Sequence, residues 1–382
     1  MSIDLHFPPD LEQLRAVWLR FARDECGTYT PLYRSICETV ADRAEVLQVT
    51  ADGPSHARQP NLLLAAVHAL VLRHRASGPA TRDPALDRLC EIYESGRSDD
   101  AGEGFVDVVL SHRDEVARLL ATRFTQTNEC GRSAPLSLAL HSVAESYVGT
   151  GAGPAGLALI DAGCSAGLNL AVDRYRIDFG DDGAFGPSGG PLVASELRGP
   201  HVHSMLPLPE SLVCIGWRVG LERAPVDLSD DEAVTWMQAC LWPDQPHRLE
   251  RAAQAFTQLR SNPPRIEQGD MVDDLTSLID QAPADLLVTV LTSWAAAYLR
   301  PADRERLVEV LRAASVNRPI VWLSMEFPGV APGLALPDFT VDTPTSPSLV
   351  GALHFDRGEI EPRTIGWTHP HGAWFAPAAS PV

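Results

Sequence analysis

Leu157 to Leu170 reads LALIDAGCSAGLNL, and the fold class turns on how this stretch is taken. An apolar run ends in Asp161, passes Gly163 and Gly167, and enters a segment that reads as a helix from Leu168 to Tyr175. A buried parallel strand hands a ligand to a helix N-terminus in this way: glycines let the backbone approach, and the first turn offers unpaired N–H groups. Such loops are common, so the surrounding text decides.

Downstream, apolar strand-like runs alternate with helical patterns, the mark of a parallel sheet covered by helices. Strands are expected at Leu157 to Asp161, Val213 to Val219, Arg265 to Gln268, Leu286 to Leu291 and Ile320 to Met325. Helices are expected at Asp230 to Leu241, His247 to Leu259, Val272 to Asp280 and Pro301 to Ala314. Leu349 to Phe355 and Arg363 to Trp367, joined by a turn at Arg357 and Gly358, read as an antiparallel hairpin.

Upstream, the chain reads as helical. Asp10 is expected to cap a helix carrying Leu11, Leu14, Trp18 and Phe21, followed by one long amphipathic helix from Pro31 to Val49. Asn61 to Arg73 is apolar nearly all round, as a buried central helix is, and its His68 reads as a core histidine satisfied by a backbone group. A short helix follows around Ala85 to Tyr93, between polar loops at Ser77 to Asp83 and Ser95 to Gly104. Phe105 to Thr122 and Leu136 to Val148 are further helices. The glycine-rich Gly149 to Gly156 sets the expected boundary, with a helical region over 1–150 and an α/β region over 151–382.

The chain has 382 residues with a net charge of -19, and all 31 of its basic residues are arginine. Clustered cations are what hold nucleic acid, so that partner is not expected. The seven cysteines are scattered without a CxxC pair, which argues against a zinc knuckle or a disulfide framework. Neither a signal-peptide pattern nor an apolar run near the roughly 20 residues of a membrane span is present. A cytoplasmic protein with free thiols and no membrane partner is expected.

The candidate chemistry sits at successive strand ends. Asp161 closes the first strand, Glu222 follows the second, Asp270 the third, Thr292 to Trp294 the fourth, and Glu326 the fifth. At these positions the chain resembles the class I S-adenosylmethionine-dependent methyltransferases. The resemblance implies a Rossmann-like domain with a mostly parallel sheet and an antiparallel last strand, carrying a helical N-terminal cap. In it Asp161, Gly163, Ser165, Gly167 and Asn169 surround the methionine part of S-adenosylmethionine. Glu222 takes the ribose, Asp270 the adenine, and Thr292 and Trp294 face the transferred methyl group, with S-adenosylhomocysteine as product. The long gap between Tyr175 and Val213, with its GDDGAFGPSGG run, departs from that pattern and reads as an inserted loop.

The whole chain more closely resembles a bacterial family known as domain of unknown function 2332. The likeness runs through PNLLLAAVH, TRFTQTNECGR, AGCSAGLNLAVDRYR, SELRG at Ser195 to Gly199 and HPHG at His369 to Gly372.

Methyl transfer needs alignment of the acceptor and, for some acceptors, removal of a proton. Glu129, Glu326 and His371 are the candidate bases. Arg123, Gln126, Asn128 and Arg132, in the polar segment from Arg123 to Arg132, read either as a substrate pocket for a small polar acceptor or as a solvated cap and turn. Tyr175, Trp294 and Tyr298 read either as a sulfonium box or as core aromatics. No metal is expected; a homodimer is one expected assembly. Three other readings stay open. One is an enzyme that cyclises or transfers the aminocarboxypropyl arm of the same cofactor. A second is a non-catalytic sensor or assembly protein. The third is a hydrolase, since Gly163, Ser165 and Gly167 also spell a nucleophile elbow, with Asp285 or Glu326 and His369 or His371 as partners.

Overall fold

The computed structural model describes residues 10–78, 82–126, 128–148, 155–205, 208–210, 213–343 and 345–379. Two compact units emerge: residues 1–127 with 230–253, and residues 128–229 with 254–382. The division therefore falls at 127/128, whereas the glycine-rich stretch expected to carry it lies, over 149–154, outside the described residues. The segment 230–253, expected within the α/β region, joins the first unit instead.

The first unit is helical. Asp10 caps helix Leu11–Phe21 by accepting from the Glu12 N–H at 3.2 Å, as its sequence position requires. The long helix expected from Pro31 to Val49 is two, Pro31–Ala41 and Ala44–Asp52, because the chain leaves helical geometry at Asp42 and Arg43. Phe105 to Thr122 is likewise divided, into Ala101–Ser111 and Arg113–Thr122. Helix Pro60–Ser77 is buried from Leu62 to Val71, the all-round burial its sequence foretells. His68 within it is buried, and its Nδ1 lies 3.2 Å from the Ala239 carbonyl and 3.0 Å from that of Leu241. Helix Asp231–Ala239 is thereby tied to the central helix, and Glu232 adds an ion pair with Arg73. Its Trp236 and Ala239 complete the unit's apolar core.

The second unit is built on strands β1 (Leu157–Ala162), β2 (Arg176–Asp178), β3 (Ala184–Phe185), β4 (Leu192–Ala194), β5 (Glu196–Leu197) and β6 (Ile215–Glu222). To these it adds β7 (Ile266–Gln268), β8 (Leu287–Ser293), β9 (Ile320–Glu326), β10 (Ser348–Asp356), β11 (Glu359–Thr368) and β12 (Trp374–Pro377). Nine strands make one mostly parallel sheet in the order β5-β12-β11-β10-β9-β8-β1-β6-β7. β1 pairs in parallel with β6 and β8, and β9 continues the parallel run beside β8. All residues of β1, β8 and β9 are buried, as strands covered on both faces must be. The expected hairpin is β10 and β11, turned through positive φ at Arg357 and Gly358. The inserted run after Tyr175 forms a small three-stranded sheet, β3-β2-β4. Helices Leu275–Gln281 and Pro301–Ala314 bury their apolar faces against the central strands.

Candidate functional site

From β1 the chain proceeds to β6 and β7 on one side, whereas β8 and β9 lie on the other. The strand order thus switches between β1 and β8, and in open α/β sheets such a point opens a crevice beyond the carboxyl ends. Asp161 near the end of β1 and Thr292 and Ser293 at the end of β8 stand at this switch point.

The loop after β1 is held by its own chain. Gly163, Ser165 and Gly167 have φ of 84°, 54° and 80°. Glu222, ending β6, accepts from the Ser165 N–H at 2.8 Å and from the Ala224 N–H at 3.2 Å. Asn128 uses both ends of its amide: it donates to the Cys164 carbonyl at 3.0 Å and accepts from the Leu168 N–H at 2.9 Å. A Cβ on Gly163 would overlap the Ala295 side chain, so that glycine makes room for the protein itself as well as for a turn.

Beyond Gly167 the chain does not form the α-helix expected at Leu168 to Tyr175. It forms a short 3₁₀ segment, Leu168–Arg174, interrupted at Ala171. Arg218 on β6 pins it, donating to the Leu170 carbonyl at 2.7 Å and pairing with both Asp173 oxygens at 2.6 Å. Asn169 is buried and accepts from the Ser133 hydroxyl at 3.4 Å. Tyr175 is core: fully buried, it donates to the Leu168 carbonyl at 2.7 Å.

Arg132 organises the opposite wall. Buried, it donates to the Pro370 carbonyl at 2.9 Å and the Ser293 carbonyl at 3.1 Å, and its guanidinium lies 5.9 Å from the Trp294 ring centre. Three distant segments, NECGR, TSW and HPHG, therefore meet on one cation. Gly372 seals the junction, because a Cβ there would collide with the Gly131 carbonyl oxygen. Trp294 donates to the Ser348 hydroxyl at 2.8 Å, and its ring packs at a tilt on Phe327.

The acidic residues divide by what they hold. Glu326 is fully buried; it accepts from the Ala295 and Ala296 N–H groups at 3.0 Å each and from the Ala297 N–H at 3.3 Å. Burial pushes its pKa up and these bonds oppose the rise. It caps the turn after Trp294, and acting as a base would cost it those bonds. Glu129 likewise accepts from the Gly131 N–H at 2.8 Å. Asp270 accepts from the Val272 N–H at 2.8 Å and pairs with Arg223 at 2.9 Å; burial acts upward on its pKa, but these partners hold it below the usual value. Thr292, buried, accepts from the Trp322 indole at 3.0 Å.

Asp161 differs. It is buried, and its Oδ2 has no hydrogen-bond partner among the described residues. Burial raises its pKa to about 7, with the Glu222 charge adding to the rise and the Arg132 charge opposing it. A carboxylate that titrates near neutrality with an open acceptor can receive a cationic or N–H-bearing ligand group.

The remaining candidates stand apart. Arg123 belongs to the helical unit, where it pairs with Glu232 at 3.1 Å and stacks over Trp236. Gln126 lies in the same unit, with its backbone near the Cys240 thiol, and Thr127 lies outside the described residues. Tyr298 is 80% exposed. His371 is half-buried on the HPHG turn. The positive φ of Ser165 suits an elbow, but His369 Nδ1 accepts from the His371 N–H at 3.1 Å rather than donating to an acid as a catalytic triad requires. Arg218 and Arg223 carry no role in the sequence reading; each acts through a partner far away in the chain, which leaves no local pattern.

These features define an α/β protein with a mostly parallel sheet and acidic residues at the strand ends on either side of the point where its strand order switches. Within that class the chain belongs to the family described as an uncharacterized protein conserved in bacteria (DUF2332), whose pattern matches residues 15–376. No curated protein matches the chain. Among the described residues no helix is long and apolar enough to cross a membrane.

Proposed function

We propose that the α/β unit binds S-adenosylmethionine and that the protein transfers its methyl group to a small polar acceptor. One observation carries the reading: the Asp161 carboxylate, buried at the strand-order switch, with an oxygen that has no partner among the described residues. A phosphate ligand would be repelled by Asp161, Glu222 and Asp270 at neighbouring strand ends, whereas a ligand carrying a sulfonium, an ammonium and free ribose hydroxyls suits them. Asp161 would receive the cationic amino-acid end. Glu222 and Asp270 retain lone pairs beyond those used by backbone and Arg223, and would accept from ribose hydroxyls and from the adenine amine. The cofactor supplies an already activated methyl group, so the residues' task is to align the acceptor and exclude water. With Glu129 and Glu326 engaged by backbone N–H groups, His371 is the base the geometry favours.

Calorimetry with S-adenosylmethionine and S-adenosylhomocysteine tests the reading. Loss of a charge-assisted bond at Asp161, worth about 1.5–3 kcal/mol, should weaken binding roughly 10- to 100-fold in Asp161→Ala. No binding to the wild-type chain, or equal binding by the variant, overturns it. Release of methylthioadenosine instead of S-adenosylhomocysteine would mark transfer of another arm, and tight binding with no turnover would mark a sensor.

A further inference from the structure

Aromatic side chains gather where β8 and β9 end. Among the described residues only three phenylalanine, tyrosine or tryptophan side chains are exposed, and two of them, Tyr298 at 80% and Phe327 at 40%, lie just beyond these neighbouring strands. Trp294, half-buried, joins them: its ring centre lies 4.2 Å from that of Phe327, with the planes at 59°. The two rings meet as an angled wall rather than a closed stack. The Tyr298 hydroxyl has no hydrogen-bond partner among the described residues.

The backbone beneath is fixed while the rings are left open. Buried Glu326 accepts from the Ala295, Ala296 and Ala297 N–H groups, the Tyr298 N–H donates to the Ala295 carbonyl at 3.2 Å, and Leu299 is anchored in the core. Trp294 sits at φ of 55°, a conformation that strains a bulky residue and persists only where its surroundings over-determine it; such strain gathers at ligand sites. A turn held this firmly displays a tyrosine to solvent beside two other rings, and contiguous exposed apolar surface of this kind marks a contact surface. What the wall lacks sets the chemistry of its occupant. Glu326 spends its oxygens on backbone, and Arg132 donates to the Pro370 and Ser293 carbonyls, so ring faces rather than charges are on offer. A flat ring meets them by stacking or by its edge. The wall also adjoins the candidate site: β8 pairs with β1, and the Arg132 charge acts on both Asp161 and Tyr298. The carboxylates at the neighbouring strand ends would repel a phosphate-bearing ring.

We propose that Trp294, Tyr298 and Phe327 form a wall on which the flat aromatic ring of a small, phosphate-free molecule rests, and that this ring belongs to the acceptor. That the ring is the acceptor rests on the transferase reading above, whereas the wall itself is tested without S-adenosylmethionine. Tyr298 has the most surface left to cover, so contact with its ring should carry the largest share of the affinity.

Calorimetry of the full chain with 2-naphthol, using the saturated decahydro-2-naphthol as the control that is not flat, tests it. Saturable binding of 2-naphthol is expected, with the saturated alcohol about fivefold weaker or worse. Tyr298 is exposed, so its substitution leaves the fold intact. Tyr298→Ala should weaken 2-naphthol binding about tenfold, whereas Tyr298→Phe, which keeps the ring, should bind as wild type does. The proposal is overturned by absent or non-saturable binding of 2-naphthol, by equal binding of the two alcohols, or by undiminished binding in Tyr298→Ala. A loss in Tyr298→Phe equal to that in Tyr298→Ala would put the contact on the hydroxyl and overturns it as well. A dimer of the full chain that Tyr298→Ala dissociates would give the wall to a second copy, with the same consequence. If 2-naphthol binds as expected and S-adenosylmethionine does not, the wall stands and the transferase reading falls; binding of S-adenosylmethionine without 2-naphthol has the reverse meaning.

Discussion

Asp161 should destabilise the ligand-free protein above neutral pH, and Asp161→Asn should reveal by how much. Its pKa rises from an ordinary 3.8 to about 7 in the fold, chiefly through burial. The fold therefore favours the protonated acid. Stability from this group is fully present below pH 3.8, declines as pH rises, and is lost once pH passes about 7. At roughly 1.4 kcal/mol per pH unit, the displacement amounts to about 4 kcal/mol. For a unit of this size, at roughly 2–4 °C per kcal/mol, the corresponding Tm difference is about 8–16 °C.

The assay is urea unfolding of wild type and Asp161→Asn from pH 4.5 to pH 8.5, read as the difference between the two curves. Asparagine carries no charge here, so the difference should move steadily in the variant's favour up to pH 7 and then level off. Any fixed cost of burying the amide shifts the whole curve without changing its slope. A flat difference between pH 5 and pH 8 would refute the reasoning. It would mean that Arg132, whose charge opposes the rise, holds the carboxylate ionised in the fold. Residues kept in an environment hostile to their charge are found where a ligand later supplies the missing partner, so the same slope bears on function.

Two other side chains give outcomes of their own. Asn128→Ala leaves the Leu168 N–H without its partner, while the Cys164 carbonyl keeps the Gly167 N–H, and should cost about 1–3 kcal/mol, the range for one buried orphan; a loss under about 0.5 kcal/mol in urea unfolding would show that the loop does not depend on it. Burial lowers the His68 pKa to about 4 against the pull of two carbonyls, so its imidazole should stay neutral in NMR titrations from pH 5 to pH 8, and stability should fall as pH drops from 6.5 toward 4; titration near pH 6.5 would contradict its buried setting.

Much of the sheet was legible because each central strand is covered on both faces and so stands out as an unbroken apolar run, as in LALIDA and LVTVLTS. The central helix was legible for the same reason. What failed was whatever depends on a partner distant in the chain. The helical pattern of Asp231–Ala239 announces a buried face but not the surface that buries it, and that surface is the central helix of the first unit, far back in the sequence. Strands of two or three residues, such as Ala184–Phe185, are too short to display a period, so the small sheet read as a loop. Leu168–Arg174 carries apolar residues that suit a helix, yet Arg218 and Tyr175 hold it in a tighter and shorter form.

The site shows the same limit more sharply. Sequence placed polar or acidic residues at five strand ends, and the structure puts Asp161, Glu222 and Glu326 at the ends of β1, β6 and β9, with Asp270 just beyond β7. Residue type alone cannot say which acid is open, because that depends on whether backbone N–H groups converge on the oxygens. Trp294, with φ of 55°, turns the chain after β8 so that three successive N–H groups face Glu326. Glu222 meets the loop after β1 in a similar way. Asp161 lies at the strand-order switch and is buried there, yet among the described residues no backbone N–H reaches its Oδ2. Of the acids at these strand ends, only Asp161 has a buried oxygen unpartnered among the described residues, which is why the acid at the switch, rather than those beside it, carries the functional reading.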